Sequence, residues 1–159
     1  SLHADSLADT RVANAVRGAT VYTLSERASD DHARKMAEKE NRSDLIAGLP
    51  SMVATKNGDV QDILIDLMKR ETADYSADFS KVLINKLAKS VPVSRARKRS
   101  AAFKVLKQTR TPSVLVELGY LSNVRDRKMM QTKAWRTKAA NAVTKAVESY
   151  FAKRTAFAE

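Results

Sequence analysis

The chain has 159 residues, enough for one domain and too few for two of ordinary size. It contains no cysteine, which excludes disulfides, thiolate zinc sites and cysteine nucleophiles. Lysine and arginine number 29 against 18 aspartates and glutamates, and the net charge of +11 predicts an anionic partner: nucleic acid, a membrane surface or an anionic cell-wall polymer. No run of about 18 apolar residues is present, so we expect no membrane span.

The first part of the chain alternates strand and helix patterns. Residues 1–4 resemble the end of a strand, and the β-branched and aromatic residues of 18–24 predict a buried strand. Ser29 and Asp30 are typical of a helix start, and we expect that helix to continue to about Ile46.

Apolar residues at helical spacing predict a further helix over 60–87, with a break or kink at 71–74, where the spacing lapses. Residues 91–100 carry mostly basic side chains and are predicted to be a linker. The apolar run 113–119, bounded by proline and glycine, predicts a central strand.

The remaining elements are helical. Asn123 is predicted to cap a short helix, and an apolar stripe over 135–151 predicts a last helix that packs on a sheet. The fold class is therefore α/β, with a sheet flanked by helices. Two complete strands and a stub make a thin sheet, so we expect the first strands of the fold to lie before Ser1, outside this chain.

The chain has only two histidines, which limits the catalytic schemes that are possible, and His3 is the better candidate for a metal ligand. It lies near the end of a strand, and Asp5 shares its face if the strand continues. An imidazole with a nearby carboxylate is suited to Zn²⁺, although an ordinary hydrogen-bonded histidine is the alternative. His32, in a first helical turn, is expected to be exposed.

Glu117 interrupts the apolar run of the predicted central strand. A carboxylate there is costly to desolvate unless it is paired or functional. One interpretation is a strand-end glutamate that reaches solvent; the other is a general base with a raised pKa that acts on a metal-bound water.

The segment 81–110 holds ten basic residues and no acidic one. It is either a solvated face or a contact surface for a polyanion, and the second interpretation leads to an alternative function, a non-catalytic binding module for an anionic polymer. Its only aromatic residue is Phe103, and no zinc-finger spacing or glycine-rich phosphate loop is present, so we expect no nucleic-acid partner.

Four segments, in order along the chain, resemble the zinc-dependent N-acetylmuramoyl-L-alanine amidases, and in particular the cell-division branch of Gram-negative bacteria, the AmiA/AmiB/AmiC type. These are SLHADS at 1–6, RGATVYTLS at 17–25, AEKEN at 37–41 and PSVLVELGYLSN at 112–123. The resemblance implies a peptidoglycan hydrolase that cleaves the amide between N-acetylmuramic acid and the L-alanine of the stem peptide, with Zn²⁺ as its cofactor.

The resemblance also implies residue roles. The zinc ligands of the family are two histidines and a glutamate, of which only the second histidine corresponds to a residue here, His3; the others are expected upstream. The catalytic glutamate corresponds to Glu117. With ligands missing, the chain as given is expected to bind zinc weakly and to have little or no activity.

Residues 1–159 are interpreted as a single catalytic domain with a helical regulatory insertion at about 30–89. In the cell-division branch, such an insertion covers the site until an activator protein moves it, and one of its carboxylates binds the zinc. The candidate is Glu40, with Glu38 second, and Asp5 is a possible further ligand in the closed state. The expected partners are peptidoglycan and this activator, and the expected compartment is the periplasm.

Overall fold

The computed structural model describes residues 1–7, 13, 15–46, 59–108 and 110–155. Its strands are β1 (Leu2–Asp5), β2 (Ala19–Leu24), β3 (Val93–Ala101) and β4 (Leu115–Tyr120). Its helices are α1 (Asp31–Ile46), α2 (Asp59–Ala88), α3 (Val124–Met130) and α4 (Lys133–Thr155), with a short 3-10 turn at Lys104–Leu106. The α/β fold class is confirmed. Residues 47–58 of the predicted insertion lie outside the described residues.

The four strands form one mixed sheet in the order β1-β4-β2-β3. Strand β4 pairs in parallel with β1 and antiparallel with β2, while β2 and β3 are parallel. The predicted central position of β4 is confirmed. This position places Glu117 between two neighbours, His3 on β1 and Thr20 on β2.

The prediction of a basic linker at 91–100 is wrong, because most of this segment belongs to strand β3. The segment lacks an apolar alternation because it is an outer strand, most of whose central side chains face solvent. Strand patterns depend on at least one face being buried, and an edge strand with exposed charges gives no such signal. With β3, the described sheet has four strands instead of two and a stub.

The predicted break or kink at 71–74 is also wrong, because helix α2 continues through these residues. The apolar spacing lapses there because the buried positions hold small polar residues, Thr72, Ser76 and Ser80. The hydroxyl of Ser76 donates to the carbonyl of Thr72, and accepts from the main-chain N–H of Ser113. A buried helix face can therefore be polar where each hydroxyl finds a partner.

The sheet has a core on each face. On one face α2 and α4 cover Val21, Val114 and Val116. On the other face α1 and the 3-10 turn cover Tyr22 and Leu115. Because side chains alternate along a strand, Leu115 and Glu117 of β4 lie on the face that α1 covers.

A buried aspartate joins the loop before β2 to the end of β4. The Asp126 carboxylate accepts hydrogen bonds from the N–H of Gly18 at 2.7 Å and of Tyr120 at 3.1 Å. Gly18 has a φ of +79°, and a Cβ there would lie 2.7 Å from the main-chain carbon of Val93, so only glycine fits. The predicted cap is also confirmed, because the Asn123 side chain accepts from two N–H groups of α3.

Candidate active site

Glu117 is fully buried in the centre of the sheet. Its Oε1 accepts a hydrogen bond of 2.6 Å from the main-chain N–H of Asp5, while its Oε2 has no hydrogen-bond partner in the described residues. Burial raises the pKa of Glu117 to about 8, against the lowering effect of the Asp5 hydrogen bond. The carboxyl group therefore has a free oxygen and a proton affinity suited to the neutral range.

His3 lies beside Glu117 on the neighbouring strand, in register with it. Its Nδ1 is 3.5 Å from Oε2 of Glu40, and its Nε2 is 2.5 Å from the Ser1 hydroxyl. Burial raises the pKa of Glu40, and the nearby His3 opposes that shift. The structure thus brings together His3 and Glu40, which are 37 positions apart in the sequence.

Asp5 is held by α1. The Lys39 ammonium group forms an ion pair with the Asp5 carboxylate and donates a hydrogen bond of 2.9 Å to the carbonyl of Ser6. The main chain of Asp5 contacts Glu117 and its side chain contacts Lys39, so this residue lies between the buried carboxylate and the helix.

Glu38, the second inhibitory candidate, points elsewhere. It forms an ion pair of 2.7 Å with Arg34 on the outer face of α1, where its side chain is 55% exposed. Glu40, by contrast, is 22% exposed and faces His3. One helix therefore offers an inward and an outward glutamate two positions apart.

Asn41 attaches α1 to the chain that follows β3. Its Nδ2 donates a hydrogen bond of 2.9 Å to the carbonyl of Ala102, and its Oδ1 accepts one of 2.7 Å from the N–H of Lys104. The amide thus satisfies a main-chain donor and a main-chain acceptor at once. Its neighbour Glu40 is fixed near His3 partly by this contact.

His32 is half-buried, and the prediction that it is exposed is wrong. Its Nε2 lies 3.2 Å from the hydroxyl of Tyr120, because the start of α1 packs over the end of β4. Burial lowers the pKa of His32, and the Arg99 guanidinium, paired with Asp30 at 2.7 Å, acts in the same direction.

The sequence also gave no reason to expect buried hydroxyls beside Glu117. Thr20, its partner on β2, and Tyr22 both have buried hydroxyl groups on the same face of the sheet as Glu117. Because side chains alternate along a strand, the sequence predicts that Thr20 and Tyr22 share one face of β2. It does not predict that this is the face on which Glu117 lies.

These side chains fit zinc only in part. Imidazole nitrogen and carboxylate oxygen are zinc ligands, and His3 and Glu40 supply one of each at a single point. The described residues contain no group of three histidines, cysteines or carboxylates that could hold a metal ion. Zinc would need further ligands besides these two.

The sequence has known relatives. The profile of the N-acetylmuramoyl-L-alanine amidase family, Amidase_3, matches residues 1–149. The chain belongs to this family. It is 36% identical over 155 residues to the amidase AmiA of Escherichia coli K12, and 31% identical over 155 residues to the amidase AmiC of E. coli O6:H1.

Amidases of known structure share the fold. Ami1 of Mycobacterium smegmatis superposes with a TM-score of 0.59 at 20% identity, covering 96% of this chain and 53% of that one. AmiC2 of Nostoc punctiforme gives a TM-score of 0.57 at 18% identity, covering 95% and 56%. At these identities the likeness concerns the amidase fold alone.

The chain spans part of the length of its amidase relatives. The match covers 95% of this chain and 50% of AmiA, and 96% of this chain and 35% of AmiC.

Proposed function

We propose that this chain carries the catalytic base of a peptidoglycan amidase, which hydrolyses the amide between N-acetylmuramic acid and the L-alanine of the stem peptide. The observation that carries the proposal is the buried carboxyl group of Glu117, which is in register with His3 and whose Oε2 has no hydrogen-bond partner among the described residues. Membership of the amidase family supports the substrate.

The reaction needs one group that takes a proton and returns it. Glu117 accepts a proton from a water molecule as the water oxygen attacks the amide carbonyl carbon. It then donates that proton to the amide nitrogen as the C–N bond breaks, leaving a carboxylic acid on the lactyl group and a free amine on L-alanine. The acid then loses its own proton to solvent. In the metal-free chain, burial raises the pKa of Glu117 to about 8, and this raised proton affinity favours uptake of a proton from water.

We propose that His3 is one ligand of a zinc ion in the active enzyme. Zinc, when bound, would acidify a water molecule and polarise the carbonyl group. The remaining ligands would come from outside the described residues. In isothermal titration calorimetry, the 159-residue chain should bind zinc far more weakly than a complete three-ligand site, and His3→Ala should abolish that binding. An affinity typical of a complete site would contradict this.

The activity can be tested in a chimera in which this chain replaces the matching 155 residues of E. coli AmiA. The chimera should release peptides from purified peptidoglycan sacculi, and Glu117→Gln should reduce the rate by at least about 100-fold, the usual contribution of a general base. The control is Glu148→Gln, an exposed glutamate of α4. A folded Glu117→Gln chimera that remains active would overturn the assignment.

We also propose that the enzyme is autoinhibited by α1. Glu40 lies next to His3, where it would keep out substrate and water, and contacts of Lys39 and Asn41 support this position of the helix. An extra carboxylate at a catalytic zinc would occupy the open coordination position that hydrolysis requires.

An activator protein would release α1, and α2 offers it a surface. Ile63, Leu64, Leu67 and Met68 form an apolar face whose side chains are exposed to solvent. An amidase of the same fold, CwlD of Clostridioides difficile, is known in complex with the GerS lipoprotein. Leu64→Asp with Leu67→Asp should leave the chimera active on sacculi in vitro but lower peptide release in cells; equal release in cells would contradict the proposal.

The resemblance to the cell-division branch supports a periplasmic enzyme of cell division. Among the described residues, none of the helices combines the length and apolar character that crossing a membrane requires. Fractionation of cells that produce the natural gene product should place it in the periplasm, and a purely cytoplasmic product would contradict this proposal.

A further inference from the structure

The outer edge of the sheet carries positive charge that no carboxylate of the described residues pairs. Strand β3 is outermost in the sheet that the described residues form, where it pairs with β2. Its register breaks between two pairs, Ala19 with Val93 and Val21 with Lys98, so the residues between them leave the ladder. Arg95, Arg97 and Lys98 are exposed there, and we call these three residues the basic edge.

The basic edge has no partner in the described part of the chain. No described carboxylate forms an ion pair with Arg95, Arg97 or Lys98, whereas Arg99 on the same strand is paired with Asp30 at 2.7 Å. The surrounding sequence from 81 to 110 supplies no acidic residue. Three cations within four residues, without a compensating carboxylate in the described part of the chain, attract an anion from outside.

The basic edge also lies near the level of Glu117 along the sheet. Lys98 is in register with Val21, whose neighbour Thr20 is in register with Glu117, so Lys98 shares the level of Glu117 but lies on the opposite face of the sheet. Strand β3 is two strands away from β4, which corresponds to about 10 Å. A polymer that extends from the site across the outer edge of the sheet can therefore contact the basic edge with an adjacent part of the same molecule.

We propose that the basic edge binds free carboxylates of the peptidoglycan stem peptides and so holds the polymer at the catalytic site. This inference rests on the proposed function. A stem peptide ends in a carboxylate, and a guanidinium group pairs with a carboxylate through two parallel hydrogen bonds. Because the polymer repeats these groups, several weak contacts add up to useful affinity.

The test measures binding to sacculi without turnover. The 159-residue chain is pelleted with purified sacculi at increasing salt, and compared with the triple variant Arg95→Gln, Arg97→Gln, Lys98→Gln. The matched control removes three charges from exposed lysines of α4: Lys138→Gln, Lys145→Gln, Lys153→Gln. We expect the edge variant to bind about tenfold more weakly and with a smaller salt dependence, and the control to change less than twofold.

A second probe identifies the chemistry. Sacculi whose carboxylates have been converted to neutral amides should bind the unaltered chain as weakly as untreated sacculi bind the edge variant. Circular dichroism and gel filtration establish that each variant is folded and monodisperse.

Three results would overturn the inference: equal binding by the edge variant and the unaltered chain, unchanged binding to amidated sacculi, or stronger binding to duplex DNA than to sacculi. Aggregation of the edge variant with undiminished binding by its folded fraction would show that the charges only guard an exposed strand. Glu117→Gln should bind sacculi normally, so a failure of binding is distinguishable from a failure of hydrolysis.

Discussion

The main-chain N–H of Asp5 donates a hydrogen bond of 2.6 Å to Oε1 of Glu117, so the end of β1 and the middle of β4 meet at one buried carboxyl group. The side chain of Asp5 is paired with Lys39 of α1. The strand that carries His3, the proposed base and the proposed inhibitory helix are thereby connected through a single residue.

Glu117 should make the stability of the metal-free chain depend on pH. Its pKa rises from the ordinary 4.5 to about 8 on folding, so its contribution is fully present below about pH 4.5 and is lost as pH rises towards 8. The loss is on the order of 4 kcal/mol. Urea unfolding from pH 5 to 9 should show this decline, and Glu117→Gln should flatten it. Curves of equal slope for Glu117→Gln and the control Glu148→Gln would contradict the prediction.

The two glutamates of α1 should differ in their effect on basal activity. In the AmiA chimera, Glu40→Gln should raise hydrolysis of sacculi in the absence of an activator, because it removes the carboxylate that faces His3. Glu38→Gln should leave the rate unchanged, because that side chain is paired with Arg34 on the outer face. A rate unaffected by Glu40→Gln, or raised equally by both, would count against autoinhibition by Glu40.

Asn41→Ala should loosen α1 without unfolding the sheet. The change removes two hydrogen bonds to the main chain at 102 and 104, which together contribute about 1–2 kcal/mol. Hydrogen exchange measured by mass spectrometry should be about tenfold faster over α1 and unchanged over β4. Ser43→Ala, on the same helix, is the control. If exchange in α1 is the same in both variants, Asn41 does not hold the helix.

Asp126→Ala should destabilise the whole chain. The carboxylate satisfies the buried N–H groups of Gly18 and Tyr120, and its removal leaves both without an acceptor. We expect a loss of about 3 kcal/mol in the free energy of unfolding. Asp66→Ala, at an exposed position of α2, should change it by less than about 0.5 kcal/mol. A similar loss in both variants would show that the buried hydrogen bonds of Asp126 do not stabilise the chain more than an exposed aspartate does.

The parts of the fold that the sequence predicts are those whose signal is local. The apolar run around Glu117, the cap at Asn123 and the strand at 18–24 are each specified by neighbouring residues. The position of a carboxylate in an apolar strand also predicts that Glu117 either reaches solvent or is buried for a function, and the structure shows that it is buried.

The predictions that the structure contradicts have a common physical cause, since each concerns a segment whose structure depends on the surface against which it packs. Strand β3 is an edge with exposed charges, and the buried face of α2 holds Thr72 and Ser76 where leucines would have given a pattern. The contact of His32 with Tyr120 joins residues 88 positions apart. No local pattern encodes such distant contacts, which arise only when the sheet and helices assemble.

The attachment of α1 by Asn41 has a consequence for how the enzyme could be switched on. Two neutral hydrogen bonds, unlike the ion pair of Lys39 with Asp5, are barely weakened by ionic strength or by mild acid. Changes in ionic strength or a mild fall in pH would therefore leave this attachment of α1 in place. In the proposed autoinhibited enzyme, release of α1 would then depend on a bound protein and not on salt or acid, which would confine hydrolysis to the place and moment where that protein is present.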